Sequence, residues 1–424
     1  MRADAVIVGA GVAGLYAALN LPTDKSVVVI SKRDLESSDS FLAQGGICVL
    51  QNDDDYDDFF EDTLRAGHYE NNRESVEIMI RSSKDVILDL VNYGADFEKT
   101  DHGFAYTKEG AHSKPRIMFH ADETGKEITK NLLKAAKQRE NITFIENYTV
   151  VDVLTKDNRC YGVVGHNENM EFSKIYAEYT VLATGGIGGL YKHSTNFPHL
   201  TGDALAIAIK NNIKLKNINY IQIHPTTLYT EKKGRAFLIS ESVRGEGAIL
   251  LDAKGERFID ELLPRDVVTK GILEQMKKDN TPFVKMSFAP IEKEKIIKHF
   301  PHIYAHCLEE GYDVTKEPIP VVPAQHYYMG GIDVNRYSKT SMEGLYAAGE
   351  TSCNGVHGKN RLASNSLLES LVFAKRAAED ISKNMAYDVN IPEIEVDFKN
   401  YDNYKEEYPK LVLSAIDKEN ENNE

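Results

Sequence analysis

Basic side chains stand beside glycine or proline in several segments that read as loops, where functional groups concentrate. They are two histidines and three arginines: His224, Arg244, Arg265, His326 and Arg361. Guanidinium and imidazole groups can together hold a substrate that carries carboxylates. Taken singly, each histidine also fits a core position and each arginine a surface ion pair, so the elements that position them must decide.

A second anion-binding feature is the stretch HGKNRLASNSLLE at residues 357–369. Ser366 and Glu369 have the spacing of a capping box, and apolar residues follow at helical intervals, so a helix is expected to begin at Ser366. The helix N-terminus and the guanidinium of Arg361 would both attract an anion. An ordinary capped helix after a surface loop is the alternative.

Three predicted strands each run into glycine, at residues 5–8, 179–184 and 345–348. The first leads into a GxGxxG turn, Gly9 to Gly14, which permits close approach to a pyrophosphate. Carboxyl ends of parallel strands meet at one edge, so the pattern predicts a doubly wound, Rossmann-like α/β fold that binds an extended ligand. A glycine-rich core turn without a ligand is the alternative. Because the strand at residues 27–30 ends without an acid for the adenosine ribose, NAD is a poorer fit.

This sheet would draw on both ends of the chain, from residues 1–218 and 326–396. Residues 219–325 would then form an inserted α+β capping domain, and the charged helices predicted at residues 266–278 and 291–299 fit such an insertion. The domain that holds the substrate would thus be built around the loops carrying the basic side chains.

Other segments are predicted to lie outside the chemistry. The acidic run at residues 53–58 reads as a solvated face, and residues 74–93 as one amphipathic helix. Residues 397–424 read as a short C-terminal remnant, with a disordered polar tail from Asp417 onward.

Composition limits the classes of function. The 424 residues carry a formal charge of −15 and contain no basic run, which argues against a nucleic-acid partner. The four cysteines are widely spaced without a CxxC pair, so neither a disulfide framework nor a metal site is expected, and a reducing cytoplasm fits best.

The N-terminus resembles a signal peptide, because Met1 and Arg2 precede an apolar run. Asp4 and the glycines inside that run favour a strand, turn and helix instead. Elsewhere the apolar runs fall short of a membrane span, so the sequence predicts a soluble, unprocessed protein without membrane contact.

The chain resembles the flavoprotein family that holds fumarate reductase, succinate dehydrogenase and L-aspartate oxidase. Ten motifs occur in the family's order between about residues 5 and 382. They are GAGVAG (9–14), SFLAQGG (40–46), EGAHS (109–113), TGDAL (201–205), HPT (224–226), ESVRGEG (241–247), PRD (264–266), HYYMGG (326–331), GLYAAGE (344–350) and HGKNRLASNSLLE (357–369).

Two features are most similar to the L-aspartate oxidases of this family. Respiratory members usually carry a histidine that bonds to the flavin just before the AQGG loop, whereas Asp39 stands here, so the resemblance implies noncovalent FAD. Glu109, within a segment typical of aspartate oxidases, can pair with an ammonium group. The chain departs from the family at Ala111, where glycine is common, and largely lacks the usual C-terminal helical domain.

The resemblance implies a role for each candidate residue. Catalysis would use Arg265, with Glu241 and Arg244 as a proton relay. Substrate would contact Glu109, His224, Ser240, His326 and Arg361. FAD would be held by Gly9, Ala10, Gly11, Val12, Ala13, Gly14, Lys32, Asp39, Ser40, Phe41, Leu42, Ala43, Gln44, Gly45, Gly46, Asp203, Glu350, Ser366 and Leu367.

The expected reaction is oxidation of L-aspartate to iminoaspartate by hydride transfer from C2 to flavin N5, with O₂ or fumarate as electron acceptor. This is the first step of NAD biosynthesis in the family, and quinolinate synthase would be a partner that receives the product. A soluble fumarate reductase or succinate dehydrogenase flavoprotein is the alternative, and a flavin-binding module without catalysis is a third.

Overall fold

The structure is a computed structural model that describes residues 1–232, 234–385 and 391–423. Among the helices of these ranges, none has the length and apolar composition of a membrane span. The helices are α1 (Val12–Asn20), α2 (Asp39–Leu42), α3 (Tyr56–Ala66), α4 (Arg73–Arg81), α5 (Ser83–Asn92), α6 (Thr124–Lys137), α7 (Asp203–Lys210), α8 (Glu241–Gly245), α9 (Arg265–Asp279), α10 (Lys293–His299), α11 (Pro301–Glu309), α12 (Asn365–Asn384) and α13 (Tyr404–Asn423).

The strands belong to one large sheet and several smaller ones. They are β1 (Arg2–Val8), β2 (Val27–Ile30), β3 (Ile47–Cys48), β4 (Lys99–Thr100), β5 (Gly103–Phe104), β6 (Ile117–Met118), β7 (Ile142–Ile145), β8 (Thr149–Lys156), β9 (Arg159–His166), β10 (Phe172–Leu182), β11 (Leu215–Lys216), β12 (Ile221–Leu228), β13 (Ile249–Leu251), β14 (Val284–Ser287), β15 (Ile319–Tyr328), β16 (Gly331–Asp333), β17 (Leu345–Ala347) and β18 (Ser352–Cys353).

The large sheet has the order β7-β2-β1-β10-β9-β8, and β17 also pairs with β10. β7, β2, β1, β10 and β17 are mutually parallel, while β9 is antiparallel to both of its neighbours, β10 and β8. Val8 pairs with Leu182, which pairs with Ala347, so the three glycine-ended strands finish at the same level. The prediction that these strands share one parallel sheet is confirmed.

Alternation along β1 separates the two faces of this sheet. Ala5 and Ile7 enter the core formed with α1, α6 and α12, whereas Val6 and Val8 enter the core formed with α7 and α13. Side chains of a strand point alternately to opposite faces, so one apolar run fills both cores. Helices on both faces of a parallel sheet give the doubly wound architecture that the sequence predicts.

A four-stranded antiparallel sheet, β12-β15-β14-β13, carries α9, α10 and α11 around a separate apolar core. Its elements lie within residues 221–328, close to the predicted insertion at residues 219–325. Strand β15 continues through the predicted boundary at 325/326, so the chain returns to the large sheet along a continuous strand. The division into domains stays a prediction.

Two local predictions are wrong. Residues 74–93 form two helices, α4 and α5, because Ser83 turns its hydroxyl to the carbonyl of Ile80 at 2.6 Å and accepts the amide of Leu50 at 2.9 Å. The acidic run at residues 53–58 is not wholly solvated either. Asp55 is buried, with its carboxylate 2.9 Å from Nη2 of Arg116, a pairing with a partner distant in sequence.

The C-terminal segment also differs from its prediction of disorder after Asp417. Helix α13 runs to Asn423, and Tyr404, Tyr408, Val412 and Ile416 pack at four-residue intervals on the core beneath α7. The hydroxyl of Tyr408 donates to the carbonyl of Val151 at 2.6 Å. The polar residues that follow include good helix formers, and they extend a helix already anchored by tertiary contacts.

Candidate active site

One elongated cleft opens at the carboxyl edge of the large sheet and extends to the four-stranded sheet; we call it the central cleft. Most predicted site residues line it, and three do not: Gly14, Phe41 and Arg244. Those that do are Gly9, Ala10, Gly11, Val12, Ala13, Lys32, Asp39, Ser40, Leu42, Ala43, Gln44, Gly45, Gly46, Asp203, Glu350, Ser366, Leu367, Glu109, His224, Ser240, Glu241, Arg265, His326 and Arg361.

The glycines of the GxGxxG turn have different tasks. Gly9 has φ +122°, and a Cβ there would overlap the carbonyl of Ala183. A Cβ on Gly14 would overlap the carbonyl of Gly9, so Gly14 serves the packing of the turn. At Gly11 a Cβ would meet side-chain atoms and no backbone, the hydroxyl of Ser40 at 3.0 Å and Ser38 at 3.8 Å, and Gly11 itself lines the cleft.

Lys32 and Asp203 form an ion pair at one end of the cleft. Nζ of Lys32 lies 2.6 Å from Oδ2 of Asp203 and 2.7 Å from the carbonyl of His199. The hydroxyl of Thr201 donates to Oδ1 of Asp203 at 2.7 Å. Since Asp203 opens α7, the pair fixes the helix start at the cleft wall.

The segment from Asp39 to Gly46 begins as a short helix, α2. Burial raises the pKa of Asp39 to about 7. Its Oδ1 accepts the amide of Phe197 at 2.9 Å, while Oδ2 and the nearby Oγ of Ser38 have no hydrogen-bond partner among the described residues. Phe41 does not line the cleft, because its ring packs against the apolar core beside α6.

Glu350 is the buried acid of the opposite wall. Burial raises its pKa to about 8, and its Oε1 accepts the amide of Tyr328 at 2.9 Å. A Cβ on Gly186 would overlap Oε1, so glycine at that position makes room for the carboxyl group.

The predicted capping box at Ser366 is wrong. Helix α12 begins at Asn365, and its N-cap Ser364 has φ 60°. Oγ of Ser366 accepts from Nη1 of Arg361 at 3.0 Å, and Glu369 contacts Asn354 and Ser370 instead of the helix start. The side chains of Ser366 and Glu369 thus bind other residues instead of capping the helix, although Ser366 still lines the cleft.

Glu241 connects two arginines. Its Oε2 lies 2.5 Å from Nε of Arg265 and 3.3 Å from Nη2 of Arg244. Burial would raise the pKa of Glu241, but the guanidiniums of Arg265 and then Arg244 hold it below its usual range. Arg244 lies behind Glu241 with its side chain fully buried, which explains its absence from the cleft wall.

The two histidines face each other with ring centroids 5.0 Å apart. Nδ1 of His224 lies 3.1 Å from both the amide nitrogen and the carbonyl oxygen of Thr226, so it can accept or donate there and leaves Nε2 with the opposite role. Within the described chain this Nε2 has no partner. Burial and the charge of Arg265 lower the pKa of His224 well below its usual value, so the imidazole is neutral.

Arg361 is a buried cation with donor capacity left. Its guanidinium lies 4.4 Å from the centroid of the Tyr327 ring, and Nε lacks a partner in the part of the chain that the structure describes. Burial and the charge of Arg265 lower the pKa of Arg361 to about 10. Two such cations near one another favour an anion between them.

Glu109 is a buried carboxyl group in the same part of the cleft. Its Oε1 accepts from Oγ of Ser242 at 2.5 Å and its Oε2 from Oγ of Ser364 at 2.6 Å. Burial, and next the charge of Glu241, raise the pKa of Glu109. Ser240 supports this contact, because its Oγ accepts the amide of Ser242 at 3.2 Å.

Sequence reasoning missed several contributors. Gln222 accepts from Nη1 of Arg265 at 2.9 Å and donates to the carbonyl of Arg361 at 2.8 Å, which joins the two cations. Ser242 and Ser364 hold Glu109, and Tyr327 and Arg235 line the cleft. The only sequence signal was their position inside or beside the quoted motifs.

Comparisons with known proteins show the family of the chain. The FAD binding domain family matches residues 4–367. L-aspartate oxidase of Clostridium perfringens is 54% identical over 90% of this chain and 87% of its own, and that of Clostridium acetobutylicum 49% identical over 91% and 89%. The structure of a mutated FrdA of E. coli quinol fumarate reductase superposes with a TM-score of 0.85 at 29% identity, covering 99% of this chain and 74% of its own. The chain therefore belongs to the L-aspartate oxidases, a family of FAD-binding flavoproteins.

Proposed function

We propose that this protein oxidises L-aspartate to iminoaspartate, the first step of NAD biosynthesis, with FAD as its cofactor. The observation that carries the proposal is the buried carboxyl group of Glu109 in a cleft whose other charged groups include Arg265 and Arg361. L-aspartate carries two carboxylates and one ammonium group, so its site needs two cationic contacts and one anionic contact. This cleft offers both kinds.

The cleft residues fit FAD. The open backbone at Gly11 suits a pyrophosphate, and the Lys32 and Asp203 pair offers polar groups beside it. Unpartnered acceptors on Asp39 and Gln44, within the described chain, suit the polar groups of a flavin and its ribityl chain. When bound, FAD supplies the two-electron acceptor for the reaction.

Arg361 and Arg265 would hold the substrate carboxylates. Both are buried, and each is fixed by its own partner, Ser366 and Glu241 respectively. The neutral imidazole of His224, whose Nε2 has no partner among the described residues, would add a hydrogen bond without adding charge. His326, whose Nδ1 lies 2.7 Å from the hydroxyl of Thr195, would add another. The substrate would thus be oriented by groups that are rigid before it arrives.

Glu109 would hold the ammonium group, a contact that aspartate can use and succinate cannot. The ammonium must lose a proton before hydride leaves C2, because the nitrogen lone pair forms the C=N bond. Burial and Glu241 raise the pKa of Glu109, which makes its carboxylate a better proton acceptor than an ordinary glutamate.

The arginine and glutamate chain would serve proton transfer when fumarate accepts the electrons, since carbon must then gain a proton. Arg265 faces the cleft, Glu241 bonds to it, and Arg244 continues inward towards the carbonyl of Glu261. A free guanidinium is a poor acid because its pKa exceeds about 12.

Cellular context completes the proposal. O₂ or fumarate would reoxidise the flavin, iminoaspartate would pass to quinolinate synthase, and the protein would work in the cytoplasm. The four cysteines support a reducing compartment, since all are buried and free.

The test mixes the FAD-loaded protein without oxygen with aspartate or with succinate and follows the flavin absorbance. We expect bleaching by aspartate, and then recovery with fumarate or O₂. Bleaching by succinate alone would instead identify a succinate dehydrogenase or fumarate reductase flavoprotein, and no bleaching by either would overturn the proposal.

A further inference from the structure

His112 is a buried residue outside the cleft, three residues after Glu109. Its Nδ1 lies 3.1 Å from Nη1 of Arg116. A guanidinium only donates, so Nδ1 accepts and the ring proton is on Nε2. That Nε2 lies 3.1 Å from the carbonyl of Ala363 and donates to it. One neutral imidazole therefore connects a fixed cation to the segment that carries Arg361.

Arg116 is held rigidly. Its side chain is fully buried between two aspartates, with Nη2 2.9 Å from Asp55 and Nη1 2.7 Å from Asp62. Asp62 also accepts the amide of Ser113 at 2.7 Å, so the 109–113 segment is tied to α3 as well. A buried guanidinium that pairs with two carboxylates keeps one orientation, because turning it would break both ion pairs.

Ala363 and Ser364 are adjacent, and each bonds to the same short segment. Ala363 accepts from His112, while Ser364 donates to Glu109. Ser364 also accepts the amide of Gly46 at 3.2 Å, which links the glycine loop of the cleft. The position of Glu109 relative to Arg361 therefore depends in part on two neighbouring hydrogen bonds, one of them made by His112.

We propose that His112 is a positioning residue that sets Glu109 relative to Arg361, and so selects dicarboxylates bearing an amine. The inference rests on the proposed function, because it needs Glu109 as the ammonium contact. Arg361 has an independent anchor, since Gln222 donates to its carbonyl. Loss of His112 therefore weakens the binding of a ligand that contacts both Glu109 and the arginines more than the binding of a ligand that contacts the arginines alone.

The test compares His112→Asn, which is too short to bridge Arg116 and Ala363, with His112→Gln, whose amide can accept from one and donate to the other. His102→Asn is the matched control, because His102 is an exposed histidine on the same connection. FAD content and thermal midpoint are measured first. Aspartate affinity comes from the concentration dependence of anaerobic flavin reduction, and succinate affinity from the flavin difference spectrum.

We expect His112→Asn to weaken aspartate binding by about tenfold or more, the scale of one lost buried hydrogen bond, and succinate binding by less than about threefold. His112→Gln and His102→Asn should keep the parent's preference. Equal weakening of both ligands, or an unchanged preference in His112→Asn, would overturn the positioning role. A parent without any preference for aspartate would contradict the proposed function, and the role with it.

A readout on the parent covers the case in which His112→Asn does not fold. In protein labelled with ¹⁵N-histidine, the His112 ring should be neutral at pH 7 and protonated on Nε2, since burial and Arg116 lower its pKa to about 4. A ring protonated on Nδ1 could not donate to Ala363 and would overturn the inference.

Discussion

Nε of Arg265 lies 2.5 Å from Oε2 of Glu241, and both side chains are buried. This contact uses Nε of the guanidinium, and Nη1 donates to Oε1 of Gln222. The orientation of Arg265 in the cleft is therefore fixed before substrate binds. Moving its charge aside would leave the buried carboxylate of Glu241 with Arg244 as its remaining cationic partner, at 3.3 Å.

Replacing Arg265 with glutamine should lower turnover of aspartate with fumarate by about 10²–10⁴, the range of a lost acid–base group. FAD should remain bound, because the contacts of Arg265 run to Glu241 and Gln222. Steady-state kinetics and the flavin spectrum of the purified variant measure both effects. Arg81→Gln, at an exposed ion pair on α4, is the control and should behave as the parent. Parental turnover in Arg265→Gln would remove Arg265 from catalysis.

Arg361→Leu should abolish aspartate turnover while FAD stays bound. The change removes a buried charge aimed at the substrate carboxylate, and truncating one partner of a buried charge pair costs about 2–5 kcal/mol in affinity. Succinate titration followed by the flavin spectrum measures this loss directly. Arg361→Lys keeps the charge and should retain part of the affinity. If succinate binds Arg361→Leu as it binds the parent, the carboxylate site lies elsewhere.

The pH dependence of aspartate oxidation should contain a limb that belongs to Glu109. Burial and Glu241 raise its pKa, so on acidification it gains a proton at a higher pH than an ordinary glutamate and then loses its attraction for the ammonium. We expect kcat/KM for aspartate to fall as pH drops through this raised pKa. The Glu109→Gln variant should oxidise aspartate slowly, and its kcat/KM should lack this fall on the acid side.

Two other acids of the cleft also have raised pKa values, since burial raises the pKa of Asp39 to about 7 and that of Glu350 to about 8. Succinate binding separates them from Glu109, because succinate has no ammonium. If succinate binding shows the same fall on acidification, and the fall persists in Glu109→Gln, the titrating group is not Glu109.

Local patterns predicted the sheet well, because a strand followed by glycine is encoded within a few residues. Val8, Leu182 and Ala347 do lie side by side, and the FAD-binding family expected from the motifs is confirmed. The contacts that fix the cleft are of another kind. Ser242 and Ser364 reach Glu109 across 133 and 255 residues of sequence, distances over which spacing carries no signal.

The capping box failed for the same reason. Ser366 and Glu369 had the correct interval, but a hydroxyl 3.0 Å from a buried guanidinium stabilises more than a helix cap would. Asp55 was misjudged because its partner Arg116 is distant in sequence. Tertiary electrostatics thus overrode local pattern wherever a buried charge needed a partner.

The GxGxxG turn offers a matched pair of variants that separates cofactor binding from folding. In Gly11→Ala the new Cβ meets side chains alone, Oγ of Ser40 at 3.0 Å and Ser38 at 3.8 Å, and φ lies outside the left-handed region, so the apoprotein should keep its thermal midpoint. The methyl group would nevertheless stand where a pyrophosphate approaches the backbone. FAD affinity, measured by quenching of flavin fluorescence, should fall by at least about tenfold, or about 1.4 kcal/mol.

Gly14→Ala should show the opposite pattern. Its Cβ would overlap the carbonyl of Gly9, which is backbone and cannot move aside cheaply, so the apoprotein itself should lose about 1–3 kcal/mol of unfolding free energy, as overpacked sites do. FAD affinity would then fall only as a consequence of the damaged turn. If Gly11→Ala keeps full FAD affinity, the pyrophosphate does not approach this turn. If Gly14→Ala is as stable as the parent, its glycine is not needed for packing.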